Sequence, residues 1–279
     1  MKESQLSIGN YAYPLHSFDY FLNSMEEMGV RQIELWAAEP HLYFGDFTLT
    51  QVEALGIKIA SHGISVSCIT PEQCEYPINI CASNVNERRR SVDYFKRAVE
   101  VAEILGAPKA FLTAGRHVHD ENREEAYLRG VDSLKELVNY ARYKGIGLVI
   151  EVNPFELEVP NNVAGLRQLL ADVDGGDWLL PVWDIDCAAR SGEWGTDYIS
   201  AFGNRIGNVH FSDGVGEHYK GHLVPGDGTL PLTRCLEELD AAGYTGTVAV
   251  EVMNSRYDAD PDTAMRRTLK WFRDYMAEH

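Results

Sequence analysis

Residues 145–154 read GIGLVIEVNP, and this stretch decides the fold. Gly145 follows the amphipathic run Glu124–Lys144 and is the residue type that ends a helix in the left-handed conformation. Leu148–Ile150 is a continuous apolar run, as expected of a strand buried on both faces. Glu151 then interrupts it, placing a carboxylate at the strand's C-terminal end. A helix, a glycine stop, a buried strand and a polar tip together make one unit of a parallel α/β fold.

The same unit recurs in both directions along the chain. Strands are predicted at Leu6–Ile8, Gln32–Trp36, Ser65–Ile69, Lys109–Leu112, Gly147–Val152, Leu179–Asp184, Gly207–Phe211 and Thr247–Val252. Helical periodicity marks Ser17–Met28, Asn86–Leu105, Glu124–Lys144, Leu230–Ala242 and Pro261–Met276, with Gly106, Gly145 and Gly243 as stops and Pro261 in a first turn. Eight such strands in 279 residues predict a single (β/α)8 TIM barrel domain over residues 1–279. A doubly wound sheet is the rival, but the first strand is not followed by Gly-x-Gly-x-x-Gly.

The net charge of −17 opposes binding to nucleic acid or to an anionic membrane, since both reward clustered Lys and Arg. No apolar run is long enough to span a bilayer, and MKESQLSIGN lacks the apolar segment of a secretory signal. The five cysteines are odd in number and show no C-x-x-C spacing, which points to reduced thiols and a cytoplasmic protein.

In a barrel, chemistry gathers where strands end. The last four strands carry Glu151, Asp184, His210 and Glu251 near those ends. Carboxylates with one imidazole form a site for a single divalent cation, Mn²⁺ first, with Mg²⁺, Co²⁺ or Zn²⁺ as alternatives.

At this point the chain resembles the xylose-isomerase-like sugar isomerase/epimerase superfamily. The resemblance rests on IELW (Ile33–Trp36), YPINICAS (Tyr76–Ser83), RAVEVAEILGA (Arg97–Ala107) and LVIEVNP (Leu148–Pro154). It continues through WDIDCAARSGE (Trp183–Glu193), IGNVHFSDG (Ile206–Gly214), VPGDG (Val224–Gly228) and GYTGTVAVEV (Gly243–Val252). It implies the same four metal ligands. It also implies that Glu151 and Glu251 are the catalytic pair, moving a carbon-bound proton through an enediolate of a ketose or related polyol ketone. The rivals are a dehydratase of the inosose type and a sugar-binding barrel without activity.

Two departures bear on substrate contacts. Relatives often carry His three residues after the Asp, where this chain has Cys187, and E-V-x-N-R-F-E is replaced here by a shorter E-V-N-P-F-E ending at Glu156. Both Cys187 and Glu156 are candidate substrate contacts, as are Lys220 and His222 in the loop EHYKGHLVPGDG. Trp36 and Trp183 are candidates for an aromatic sugar platform, with Tyr11 and Phe155 nearby. Asp213 is expected to fix the tautomer of His210, with capping of its own loop as the alternative. Glu34, inside a strand, requires a partner and is expected to be a buried anchor, with a substrate contact as the alternative. VPGDG carries its own acid, which favours an unphosphorylated sugar or polyol. The chain is expected to act on a small molecule, with a homodimer possible.

Overall fold

A computed structural model describes residues 1–216 and 221–278. Eight strands form a closed barrel in chain order. They are β1 (Leu6–Gly9), β2 (Gln32–Ala37), β3 (Ser65–Pro71), β4 (Lys109–Thr113), β5 (Gly147–Glu151), β6 (Leu179–Asp184), β7 (Asn208–Phe211) and β8 (Val248–Val250). All pairs are parallel, and β8 closes on β1 with Ser7 opposite Ala249.

The helices are α1 (Phe18–Glu27), α2 (Leu49–Ser61), α3 (Val85–Leu105), α4 (Arg123–Lys144), α5 (Val163–Val173), α6 (Ile185–Arg190), α7 (Gly195–Phe202), α8 (Leu232–Ala241) and α9 (Pro261–Glu278). Asn84 and Asn122 cap α3 and α4 by accepting from backbone N–H groups two and three residues on. Gly106 and Gly145 end the same helices in the left-handed region, at φ 69° and 72°. Helices α2, α5, α6 and α7 had no separate prediction. The last two are six and eight residues long, too short for a helical period to show.

Side chains alternate between the two faces of each strand. Leu148, Ile150, Trp183, Val209, Phe211, Val248 and Val250 point outward into the core shared with the helices. Cys68, Phe111, Val149 and Val182 point inward and plug the barrel. Residues two positions further along β5 and β6 share that inward face, which is why Glu151 and Asp184 stand above the plug at the strands' C-terminal ends. No helix among the described residues is long and apolar enough to cross a membrane.

The same alternation corrects the expectation for Trp183. It neighbours Asp184 in sequence but faces the other way, 1% exposed and stacked on Tyr198 of α7 at 5.9 Å and 24°. It is a packing residue between barrel and helix layer, not a sugar platform. Trp183→Ala should cost about 3–5 kcal/mol of stability in denaturant unfolding. A cost below about 1 kcal/mol would contradict its burial.

Candidate metal centre and active site

Glu151 ends β5, Asp184 ends β6, His210 lies within β7, and Glu251 follows β8 directly. One ligand atom from each lies within 4.8 Å of the others. His210 Nδ1 is 2.6 Å from Glu251 Oε2, 3.1 Å from Glu151 Oε2 and 3.9 Å from Asp184 Oδ2. His210 Nδ1, Asp184 Oδ2 and Glu251 Oε2 are buried without a hydrogen-bond partner. Buried lone pairs that converge without donors are costly, and three carboxylates with one imidazole are a donor set for a divalent cation. The residues therefore fit a metal.

The electrostatics agree. Burial pushes Glu151 up to about 7, with Asp184 and Glu251 adding to the rise against the pull of His210. Burial opposes charge on His210, yet Glu34, Glu251 and Glu151 together raise it well above the ordinary imidazole value. The cluster demands positive charge at its centre, which a divalent cation supplies better than a proton.

Glu34 organises this centre from below. Its carboxylate accepts from Tyr11 Oη (3.0 Å), Thr70 Oγ1 (2.7 Å), Asn208 Nδ2 (2.9 Å) and His210 Nε2 (2.8 Å). Burial would raise its pKa, but His210, Thr70 and Asn208 hold it down at about 2. A charged acceptor at Nε2 keeps the proton there, so Nδ1 offers its lone pair to the centre. Beneath lies Lys109, whose Nζ donates to Gly207 O (2.9 Å) and Asn208 Oδ1 (3.3 Å).

This arrangement corrects the reading of Asp213. It does not touch His210. Its oxygens accept from the backbone N–H groups of Gly214 (2.8 Å), Gly226 (2.8 Å), Gly228 (3.0 Å) and Leu230 (3.1 Å). Asp213 is the staple of the VPGDG loop, and Gly228 is required there, since a Cβ would fall 2.3 Å from Asp213 Oδ1. Glu34 makes the contact to His210 that was expected of Asp213.

A cleft of about 190 Å³ is lined by Glu151, His210 and Glu251 of this cluster. Trp36, Cys187 and His222 line it. Trp36 stacks on Tyr11 at 5.6 Å and donates from Nε1 to Glu72 Oε2 at 3.0 Å, giving the cleft one aromatic wall; Phe155 also lines it. Lys220 lies outside the described residues, as does His218. Glu156 is exposed and does not line the cleft, contrary to expectation. The loop after β5 instead turns Glu158 inward, where burial pushes it up to about 8.

Two residues of this region carry no distinct signal in the sequence. Glu158 is one of two glutamates in FELE, and only the bridge between Arg116 and Glu158 selects it. Arg190 also lines the cleft, from a helix too short to show a buried face. His62 caps the end of α2 and pairs with Glu26 at 2.6 Å, as a structural role requires. His117 and His119 lie in the loop between β4 and α4 and do not line the cleft.

Comparison with known proteins places this geometry. The chain is 26% identical over 280 residues to the fructoselysine 3-epimerase of Shigella flexneri, spanning 100% of this chain and 99% of that protein. The fructoselysine 3-epimerase of Escherichia coli O157:H7 matches with the same identity and coverage, 26% over 280 residues. Among solved structures, the IolI protein with a binding zinc atom superposes with a TM-score of 0.82 at 19% identity, covering 98% of each chain. L-ribulose 3-epimerase superposes with a TM-score of 0.80 at 20% identity, covering 98% of this chain and 94% of that one. At these identities the structural likeness speaks to the fold. Residues 22–275 match the xylose isomerase-like TIM barrel family, and the chain belongs to that family.

Proposed function

We propose that this chain is a metal-dependent epimerase or isomerase of a ketose or ketose conjugate, working through an enediolate. The observation that carries the reading is that Glu151 and Glu251 both line the cleft while standing in one cluster with Asp184 and His210. Glu151, Asp184, Glu251 and the Nδ1 of His210 would hold the cation, with Mn²⁺ the first candidate. When bound, it polarises a substrate carbonyl and the neighbouring hydroxyl, which acidifies the C–H between them.

The rest is the work of the chain's own carboxylates. One glutamate takes the carbon-bound proton and the other returns one from the opposite side, inverting the carbon. The two arrive from β5 and β8, strands separated by two others, so a substrate can lie between them. Trp36 and Tyr11 offer an apolar wall to the C–H edge of a sugar. The two similar fructoselysine 3-epimerases support a ketose conjugate among the substrates.

Product analysis tests the reading. Metal-loaded protein incubated with fructoselysine, D-tagatose and D-fructose should yield an epimer or isomer of equal mass, resolved by NMR. A product lighter by one water would instead identify a dehydratase.

A further inference from the structure

Helix α6, capped by Asp184, brings Asp186, Cys187 and Arg190 to one side, at the i, i+3 and i, i+4 spacing of neighbours on a helix. Arg190 Nη2 lies 2.9 Å from Asp186 Oδ2, 3.1 Å from Cys187 Sγ and 3.3 Å from His222 Nε2. The Arg190 side chain is 10% exposed and that of Asp186 is fully buried. Asp186 is wedged between two glycines. A Cβ on Gly214 would fall 1.9 Å from Oδ1, and one on Gly221 would fall 1.8 Å from Oδ2. The carboxylate has no room to swing, so the guanidinium it holds is fixed.

Asp184, Cys187 and His222 bring ligand atoms within 4.8 Å of one another, a set that would otherwise suggest a second cation. Arg190 already stands in contact with two of the three. Its positive charge occupies that place, and it lines the cleft together with Glu151 and Glu251. Nη1 has no hydrogen-bond partner among the described residues, while Nη2 and Nε are engaged within the helix and its neighbours. Nη1 is absent from the buried atoms left without a partner, so it stays open to solvent at the cleft and can exchange water for an oxygen of a ligand.

The pattern of free donors limits what it can hold. Phosphate and carboxylate are bound best by the two-pronged edge of a guanidinium, and that edge is committed here. Nη1 remains; its two N–H groups diverge, so it offers hydrogen bonds to ligand oxygens but not the two-pronged grip. Among the described residues, no other Lys or Arg lines the cleft, whose remaining ionisable side chains include the acids Glu72, Glu75, Glu151 and Glu251, so no second basic side chain is present to complete a phosphate grip.

We infer that Arg190 is a substrate-binding residue whose Nη1 donates to hydroxyl or carbonyl oxygen of an unphosphorylated ketose, held beside the carboxylate cluster. The class of ligand rests on the epimerase reading above, whereas the placement of Arg190 does not. Asp186 positions it, and Cys187 is small enough to leave it room, since a longer side chain there would meet Nη2.

Calorimetric titration of Mn²⁺-loaded protein with fructoselysine, D-tagatose, D-fructose and D-fructose 6-phosphate tests this. Wild-type protein should bind at least one unphosphorylated ketose. Arg190→Gln should weaken that binding about 10- to 100-fold with metal content unchanged, and Arg190→Lys should lose less. Added guanidinium should restore part of the affinity of Arg190→Ala, a recovery that a merely structural role would not show. Ketose binding by Arg190→Gln within about twofold of wild type would overturn the inference, since a charged hydrogen bond is worth more than that. Tighter, Arg190-dependent binding of D-fructose 6-phosphate, or no binding of any ketose by wild-type protein, would overturn it as well. Ketose binding that depends on Arg190 without any carbon–deuterium exchange in D₂O would contradict the epimerase reading and uphold Arg190.

Discussion

Glu251→Gln is expected to lower turnover by about three orders of magnitude while leaving part of the metal bound. Glutamine keeps an oxygen at the same reach, so the centre retains a weak fourth ligand. It has no proton to give and none to take near neutrality. The expected loss is therefore larger than the loss of metal, and turnover per bound metal ion is the quantity to measure, by elemental analysis alongside the assay. Turnover per metal within about tenfold of wild type would remove Glu251 from proton transfer. The same substitution at Glu151 should have a comparable effect, because the proposed inversion needs both carboxylates.

The second large effect is expected at Glu34. Glu34→Ala leaves the donors of Tyr11, Thr70, Asn208 and His210 facing a void where four hydrogen bonds stood. Removing one side of such a buried charged network costs about 3–5 kcal/mol. It should also weaken metal affinity about 10- to 100-fold, since His210 is no longer held with Nδ1 toward the other ligands. Chemical denaturation of chelated protein gives the first quantity and metal titration of the folded protein gives the second. Unchanged metal affinity would show that His210 needs no orienting partner. The pH dependence carries the matching sign. The Glu34 carboxyl is held down at about 2 in the fold against an ordinary 4.5, so the stability it confers is full above about 4.5 and is lost as pH falls through about 2. Glu34→Ala should lack that part of the acid dependence.

The fold was legible because parallel strands buried on both faces must be apolar almost throughout, and their runs stand out between glycine-stopped helices. The grouping of Glu151, Asp184, His210 and Glu251 was legible for a related reason. A polar residue that ends such a run has few places to point except the barrel mouth. What failed to show was anything that depends on parity or on the path of a loop. Trp183 and Asp184 are adjacent, yet one faces the helices and the other the cleft. Glu156 and Glu158 differ by two positions in a loop whose path is set by pairing with Arg116, far away in sequence. Asp213 stands three residues from His210, which invited a contact, but its carboxylate finds four backbone N–H groups in its own loop. Arg190 sits at the end of a six-residue helix, where its ion pair with Asp186 reads as an ordinary exposed i, i+4 pair until Gly214 and Gly221 close over it.

The central claim is that four strand-end ligands hold a cation at a cleft where two glutamates exchange a carbon-bound proton. Its most direct test is carbon–deuterium exchange in D₂O, using chelator-stripped protein before and after addition of Mn²⁺, with fructoselysine, D-tagatose and D-fructose as probes. The account predicts deuterium at the carbon beside the carbonyl of at least one ketose, absent from stripped protein and restored by the metal. Exchange that persists in protein shown by elemental analysis to hold no metal, or no exchange from fully loaded protein, would contradict it.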